Sequence, residues 1–238
     1  MPHFYVKPDD IKGQSFFISG EQAHYVINVR RFKPNDEIMI FDGLGNSYKA
    51  QVTTVNKNDI SGKIISSSYK MPVFKVHLYT AIPKGNRFEW LIEKCAEIGV
   101  SEITPINTKR SVNTGFSKNK SERYEKISIA ASSQCGRNDI MTINDPLDFK
   151  NACKNAAANK NLINILSWES ERRSLVGETL ASSSYNGANI FIGPEGGFEN
   201  EEIEFAKSMG IHTISLGENI LRVETAAIVI SVLILNRI

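Results

Sequence analysis

Glycine, proline and a single carboxylate crowd one stretch near the carboxyl end, Asn189-Ile-Phe-Ile-Gly-Pro-Glu-Gly-Gly-Phe198. A second glycine-bearing stretch follows it, Leu216-Gly-Glu-Asn-Ile-Leu-Arg-Val-Glu-Thr-Ala226. Ile190 to Ile192 reads as a short buried strand that runs into a turn built from Gly193, Pro194, Gly196 and Gly197. Proline fixes one backbone angle and glycine permits positive ones, so this turn can bring bare main chain close to a ligand. It does not have the chemistry of a triphosphate cradle: it lacks a lysine followed by serine or threonine, and there is no G-x-G-x-x-G. Glu195 at its centre would repel a phosphate, yet could accept hydrogen bonds from ribose hydroxyls or tolerate a cationic ligand. Taken alone, such a turn reads as a connection that binds nothing.

The elements around these turns alternate between strand and helix. Glu199, Glu201 and Glu202 fall in the first turn of a predicted helix, where carboxylates suit the positive end of the dipole. Ile211 to Leu216 is a strand leading into Leu216-Gly217. Arg222 then precedes an apolar segment, Ile228 to Leu235, whose start (Glu224, Thr225, Ala226, Ala227) favours helix over strand. Apolar nearly all round, that segment must be buried, and a second subunit is the expected cover. Upstream, Val73 to Ile82 is a strand. Phe88, Leu91, Ile92, Cys95, Ala96 and Ile98 then recur at helical spacing until Gly99 stops the helix, which makes Cys95 a core residue. Ile103 to Ile106 is a short strand that puts Arg110 just past its carboxyl end, where open α/β sheets bind ligands. Tyr124 to Ala131 is predicted as a helix leading to Ser132-Ser-Gln-Cys-Gly-Arg-Asn138. Asn161 to Ser167 is another strand, with Trp168-Glu169 opening the loop after it, and Ser182 to Asn189 reads as a surface connection.

The first quarter of the chain is different. Phe4 to Val6, Ser15 to Ile18, Glu37 to Phe41 and the alternating residues from Tyr48 to Ile65 read as strands, with one helix over Gly20 to Arg31. Several short strands with one helix suit a small barrel. Polar, proline-punctuated Ser66 to Pro72 makes the domain boundary, giving a β-rich domain over 1–70 and an α/β domain over 71–238.

Composition narrows the function classes. Lys+Arg 28 against Asp+Glu 26 leaves only +2, so no global positive field points to nucleic acid. An RNA surface would have to come from local clusters: Arg30-Arg31 with Lys33, Lys109-Arg110, Lys118 with Lys120, Arg123 and Lys126, or Arg172-Arg173. Each alone reads as a solvated face. The 3 cysteines lack any C-x-x-C, which suits a reducing cytosol and offers neither a disulfide nor a zinc framework. No basic-then-apolar leader opens the chain, and the run from Ala226 to Leu235 is too short to span a bilayer. The expectation is a cytoplasmic protein with no membrane segment and no metal.

Gly193-Pro-Glu-Gly-Gly-Phe198 with Leu216-Gly and Ile220-Leu-Arg-Val-Glu-Thr-Ala226 resembles the paired signature of the SPOUT superfamily of S-adenosylmethionine (SAM) methyltransferases. More narrowly it resembles the RsmE family, which methylates N3 of one uridine in 16S ribosomal RNA. The block Lys84, Arg87, Glu89, Lys94, Glu97 and Gly99, followed by Pro105 and Lys109-Arg110-Ser111, is similar to a third motif of that family. His24, Arg30, Arg31 and Lys33-Pro-Asn-Asp36 resemble the opening of its PUA-like RNA-binding domain. The resemblance extends across most of the chain. It departs at Ser133, Cys135 and Met141, where the family has glutamate, serine and proline, while Gln134 and Arg137 are kept.

The resemblance implies a PUA-like β-barrel followed by a trefoil-knotted SPOUT domain, a homodimer, and 16S rRNA in the 30S subunit as substrate. It implies that SAM lies on Ile192, Gly193, Glu195, Gly196, Gly197, Leu216 and Gly217, with Ile220, Leu221 and Arg222 closing over it. Arg30, Arg31, Lys84, Arg87, Arg110 and Arg137 become candidates for RNA contact. Methyl transfer from a sulfonium needs the reactants placed and the weakly acidic uridine N3 deprotonated. A cation beside the uracil oxygens would stabilise the resulting anion. Arg222 is the first candidate, then Arg137 and Arg110; an ion pair of Arg222 with Glu195 or Glu224 is the structural alternative. Glu195 could act as base or bind ribose. Cys135 reads as inert packing, since N3 alkylation needs no covalent adduct. Methylation at another RNA position and a non-catalytic ribosome-assembly role are the competing readings.

Overall fold

A computed structural model describes residues 3–111, 115–172, 174 and 185–236. The chain divides into two compact units. One holds the residues up to Met71 together with Ile129–Ile140, and the other holds Pro72–Ser128 and the chain from Met141 onward.

In the first unit, strands β1 (His3–Tyr5), β2 (Ile11–Lys12), β3 (Ser15–Ser19), β4 (Glu37–Phe41), β5 (Asn46–Val55) and β6 (Asp59–Tyr69) form a 6-stranded sheet ordered β1-β4-β5-β6-β3-β2. Alternation sets its faces: β3 buries Phe16 and Ile18 and turns Phe17 outward. The core gathers Phe4, Val6, Val26, Ile38, Ile40, Val52 and Ile60. The helix expected over Gly20 to Arg31 begins as α1 (Gly20–His24) but continues as a π-helical turn over Tyr25–Val29. Arg31 then takes a positive φ of 57°. Widening the turn keeps Val26 in the core at the expense of exposing Tyr25 and Val29. Ser66–Tyr69, expected as linker, instead completes β6. Pairing with Asn46–Lys49 satisfies its backbone, and the Ser47 and Ser68 hydroxyls bond at 2.8 Å.

The second unit holds a 7-stranded sheet: β7 (Lys75–Thr80), β8 (Glu102–Asn107), β9 (Thr142–Ile143), β10 (Leu147–Asp148), β11 (Ile163–Ser167), β12 (Gly187–Ile192) and β13 (His212–Ile214). Its order is β10-β8-β7-β12-β11-β13, with β9 also on β8, and every pairing is parallel. The helices are α2 (Arg87–Ile98), α3 (Lys118–Cys135, of which the part to Ser128 lies in this unit), α4 (Phe149–Ala158), α5 (Asn200–Ser208) and α6 (Val223–Asn236). The apolar stripe of α2 is buried, and Gly99 closes it in the left-handed conformation. The start of α3 lies upstream of the expected Tyr124 because Ser117 caps it, its hydroxyl accepting from Lys120 N–H at 3.4 Å. Gly187–Asn189 belong to the buried strand β12 and not to a surface connection. The Asn189 amide is satisfied there by Asn164 Oδ1 at 2.8 Å. Ser182 to Ser184 and Arg173 lie outside the described residues. The final apolar segment is helical, as its start indicated, and packs on α2, β7 and β12.

Candidate functional site

Three neighbouring strands of the parallel sheet end level with one another: Ser167 of β11 lies opposite both Ile192 of β12 and Ile214 of β13. The loops that leave these ends therefore converge. Residues after Ser167, Gly193–Phe198 and Ser215–Arg222 line one cavity of about 570 Å³. That is the size range of cofactor pockets, at the carboxyl edge where α/β sheets bind ligands. Ile192, Gly193, Glu195, Gly196, Gly197, Leu216, Gly217, Ile220, Leu221 and Arg222 all line it.

The turn needs its glycines for definite reasons. Gly197 has φ 70°, and a Cβ there would collide with the carboxylate of Glu169 from the β11 loop. At Gly196 a Cβ would crowd the stem of Arg110, 3.3 Å from its Cβ.

Charges on neighbouring loops hold the turn from outside. Glu195 Oε1 meets Arg87 Nη2 at 3.3 Å and accepts the Lys84 N–H at 3.4 Å. The same guanidinium reaches Glu224 Oε1 at 3.7 Å, whose side chain is buried at the start of α6. Arg110 donates through Nη1 to the Gly196 carbonyl at 2.7 Å and through Nε to Glu199 at 2.8 Å. Glu199 and Glu202 form a capping box on α5, so the acidic first turn does more than complement the dipole. Lys109 pairs with Glu201, which holds that carboxyl below its ordinary range.

Other expected residues lie elsewhere. Arg222 lines the cavity with its side chain exposed, and among the described residues it forms no ion pair. Glu195 and Glu224 meet Arg87 in its place. Arg137 belongs to the first unit, where its Nη2 pairs with Asp139 at 2.5 Å. Arg30 and Arg31 are exposed on that unit as well, and Lys84 is exposed on the second. Cys135 is exposed and not packed, because it is the last residue of α3; its thiol donates to Ser132 O at 3.7 Å. Cys95 and Cys153 are buried, and burial pushes the Cys153 thiol up to about 12. Sequence reasoning placed Trp168-Glu169 in the loop after β11 but gave no site role to that loop or to Glu218, all of which line the cavity. The loop's only signal was its place directly after a buried strand.

Residues 70–235 match the RNA methyltransferase domain family and residues 18–65 the RNA methyltransferase PUA domain family. A Buchnera aphidicola relative named ribosomal RNA small subunit methyltransferase E is 33% identical, over 96% of this chain and 90% of its own length. A Bacillus subtilis relative of the same name is 30% identical, over 89% of this chain and 86% of its own. This chain belongs to the ribosomal RNA small subunit methyltransferase E family. A member from Neisseria gonorrhoeae, solved bound to S-adenosyl methionine, superposes with a TM-score of 0.87 at 25% identity, covering 98% of this chain and 96% of that one. A Legionella pneumophila protein solved with the bound cofactor SAM gives 0.78 at 31% identity, covering 97% and 96%. The SPOUT-type α/β domain and the PUA-like domain before it are thus family features of this chain.

The residues present fit that cofactor. Open main chain at Gly217, with nothing within 4 Å of where a Cβ would stand, admits close approach, and exposed Ile220 offers an apolar wall. Glu169, Glu195 and Glu218 line the cavity together with Arg172, a set that complements a sulfonium, an ammonium and a carboxylate in one molecule. Among the described residues no cluster of His, Cys, Asp and Glu could hold a metal ion. No described helix is long and apolar enough to cross a membrane.

Proposed function

We propose that this chain methylates N3 of a uridine in 16S ribosomal RNA of the small subunit, with SAM as methyl donor. One observation carries the reading: loops from three strands that end level enclose a single cavity whose main chain and charges suit SAM, in a family with a SAM-bound member.

When bound, SAM supplies a methyl carbon on a sulfonium, already a good leaving group. The chain supplies position and charge. Main chain from Ile192, Gly193, Gly197, Leu216 and Gly217 holds the adenosyl group, and Ile220 and Leu221 cover the base. Glu195, oriented by Arg87 and the Lys84 N–H, accepts from hydroxyl groups, as does Glu169 beside Gly197. Arg222 stabilises the uracil oxygens as N3 loses its proton. It takes this role over Arg110 and Arg137 because their guanidinium groups are occupied by Gly196 and Glu199, and by Asp139.

RNA phosphates meet Arg30 and Arg31 on the first unit and Lys84 on the second. The half-buried residues Ile228, Val229, Val232 and Leu233 of α6 suit a partner subunit in a homodimer. The trefoil threading of the loops, the 30S particle as substrate and a cytoplasmic location complete the proposal.

The test is transfer of tritium from labelled SAM into 30S particles from a strain lacking the gene, with the product located by mass spectrometry. Label at N3 of one 16S uridine is expected. Failure to label those particles overturns the reading, and label at another position moves the activity to a different RNA target.

A further inference from the structure

Arg87 and Arg110 flank the glycine turn from two sides, and each spends its guanidinium on it. Arg87 uses all of its fork: Nε donates to the Lys84 carbonyl at 3.1 Å, Nη2 faces Glu195 at 3.3 Å and Nη1 faces buried Glu224 at 3.7 Å. One side chain thus joins the loop after β7, the turn after β12 and the first residues of α6. Arg110 grips the turn twice, through the Gly196 carbonyl and Glu199, while its aliphatic stem lies across Gly196 where a side chain would otherwise stand.

From this geometry we infer that Arg87 and Arg110 are positioning residues, which hold Gly193–Glu199 in the shape that lines the cavity, and are not contacts for RNA. An RNA phosphate would have to displace carboxylates from both arginines and approach Glu195, Glu199 and Glu201, whose charges oppose it. Planar forks that bind two or three acceptors at once cannot be reproduced by lysine, whose ammonium is a point charge. The inference rests on the proposed function where SAM and 30S affinity are concerned; the shape of the turn can be read without any ligand.

Amide hydrogen exchange over residues 193–202 of the ligand-free protein is the deciding measurement, made on wild type, Arg87→Gln, Arg110→Gln and Arg110→Lys. Arg110 is 48% exposed, so its variants should retain the fold. Exchange in the turn should rise about tenfold in each variant, with SAM affinity by calorimetry falling by a similar factor and filter-binding affinity for 30S particles changing less than about twofold. Unchanged exchange in both glutamine variants overturns the inference, as does full restoration by lysine or a loss of 30S affinity of about tenfold. Should wild type fail to bind SAM, the proposed function falls while the exchange result still judges these two arginines.

Discussion

The buried carboxylate of Glu202 accepts the main-chain N–H of Lys109 at 2.9 Å, so the first turn of α5 is fastened to the segment that follows β8. Its other oxygen accepts the Glu199 N–H at 2.9 Å, closing the capping box. Glu202→Ala would strand two main-chain donors at once. The expected cost is about 2–4 kcal/mol, read as a lower urea midpoint at unchanged slope. A loss within experimental error would mean that water replaces both bonds.

Gly197→Ala should hurt twice. The left-handed backbone costs about 1–2 kcal/mol once a Cβ is present, and that Cβ pushes into Glu169 across the cavity wall. SAM affinity should fall together with stability. Adding Glu169→Ala relieves the collision but not the backbone term, so the double variant should regain part of the stability and none of the carboxylate's contribution to binding. Calorimetry and denaturant melts on the three proteins separate the effects; full recovery in the double variant would contradict the backbone cost.

Arg222→Ala should lower turnover by about a hundredfold or more, the scale of losing one transition-state donor, while SAM affinity moves little. The exposed side chain has no ion pair among the described residues to lose, so folding should be untouched. Equal losses in turnover and affinity would reassign it to cofactor binding.

Cys135→Ser should leave methyl transfer within about twofold of wild type, because the thiol stands on the first unit and does not line the cavity. Abolished labelling would bring a covalent thiolate step back into consideration.

How far the sequence reached follows from what is local. The two glycine turns could be found because their conformation is written in their own residues, and both sit at the ends of strands. Glu169 was not legible as a site residue: it matters only because β11 lies between β12 and β13, an order set by sheet assembly. The partners of Arg87 and Arg110 were hidden for the same reason, since Glu195 and Glu199 are far away in sequence and reach them only through the adjacency of β8, β7 and β12. Ser66–Tyr69 misled in the opposite direction. Its polarity signals a linker, but polarity on the open face of a paired strand costs nothing.

His77 gives the second unit a pH dependence of definite sign. The ring is stacked on Tyr79 at a centroid distance of 4.0 Å, Nε2 is 2.7 Å from Thr104 Oγ1, and Nδ1 is 3.8 Å from Glu102. Burial lowers its pKa below 6.5, and the opposing pull of Glu102 is smaller. The folded state therefore holds the neutral ring, whereas the unfolded chain takes up a proton near 6.5. Below that pH the unfolded state binds more protons, so His77's contribution is complete above about 6.5 and is lost as pH falls from there through the folded value. His77→Phe keeps the stack and removes the titration, along with the bond to Thr104. Urea melts from about pH 8 down to about pH 5 should show the variant less stable at the upper end and the gap narrowing toward the lower. His3, also lowered by burial in the first unit, acts equally in both proteins and cancels in the comparison. A gap that widens on acidification would mean that Glu102, not burial, governs the ring, and a constant gap would mean that the two pulls cancel.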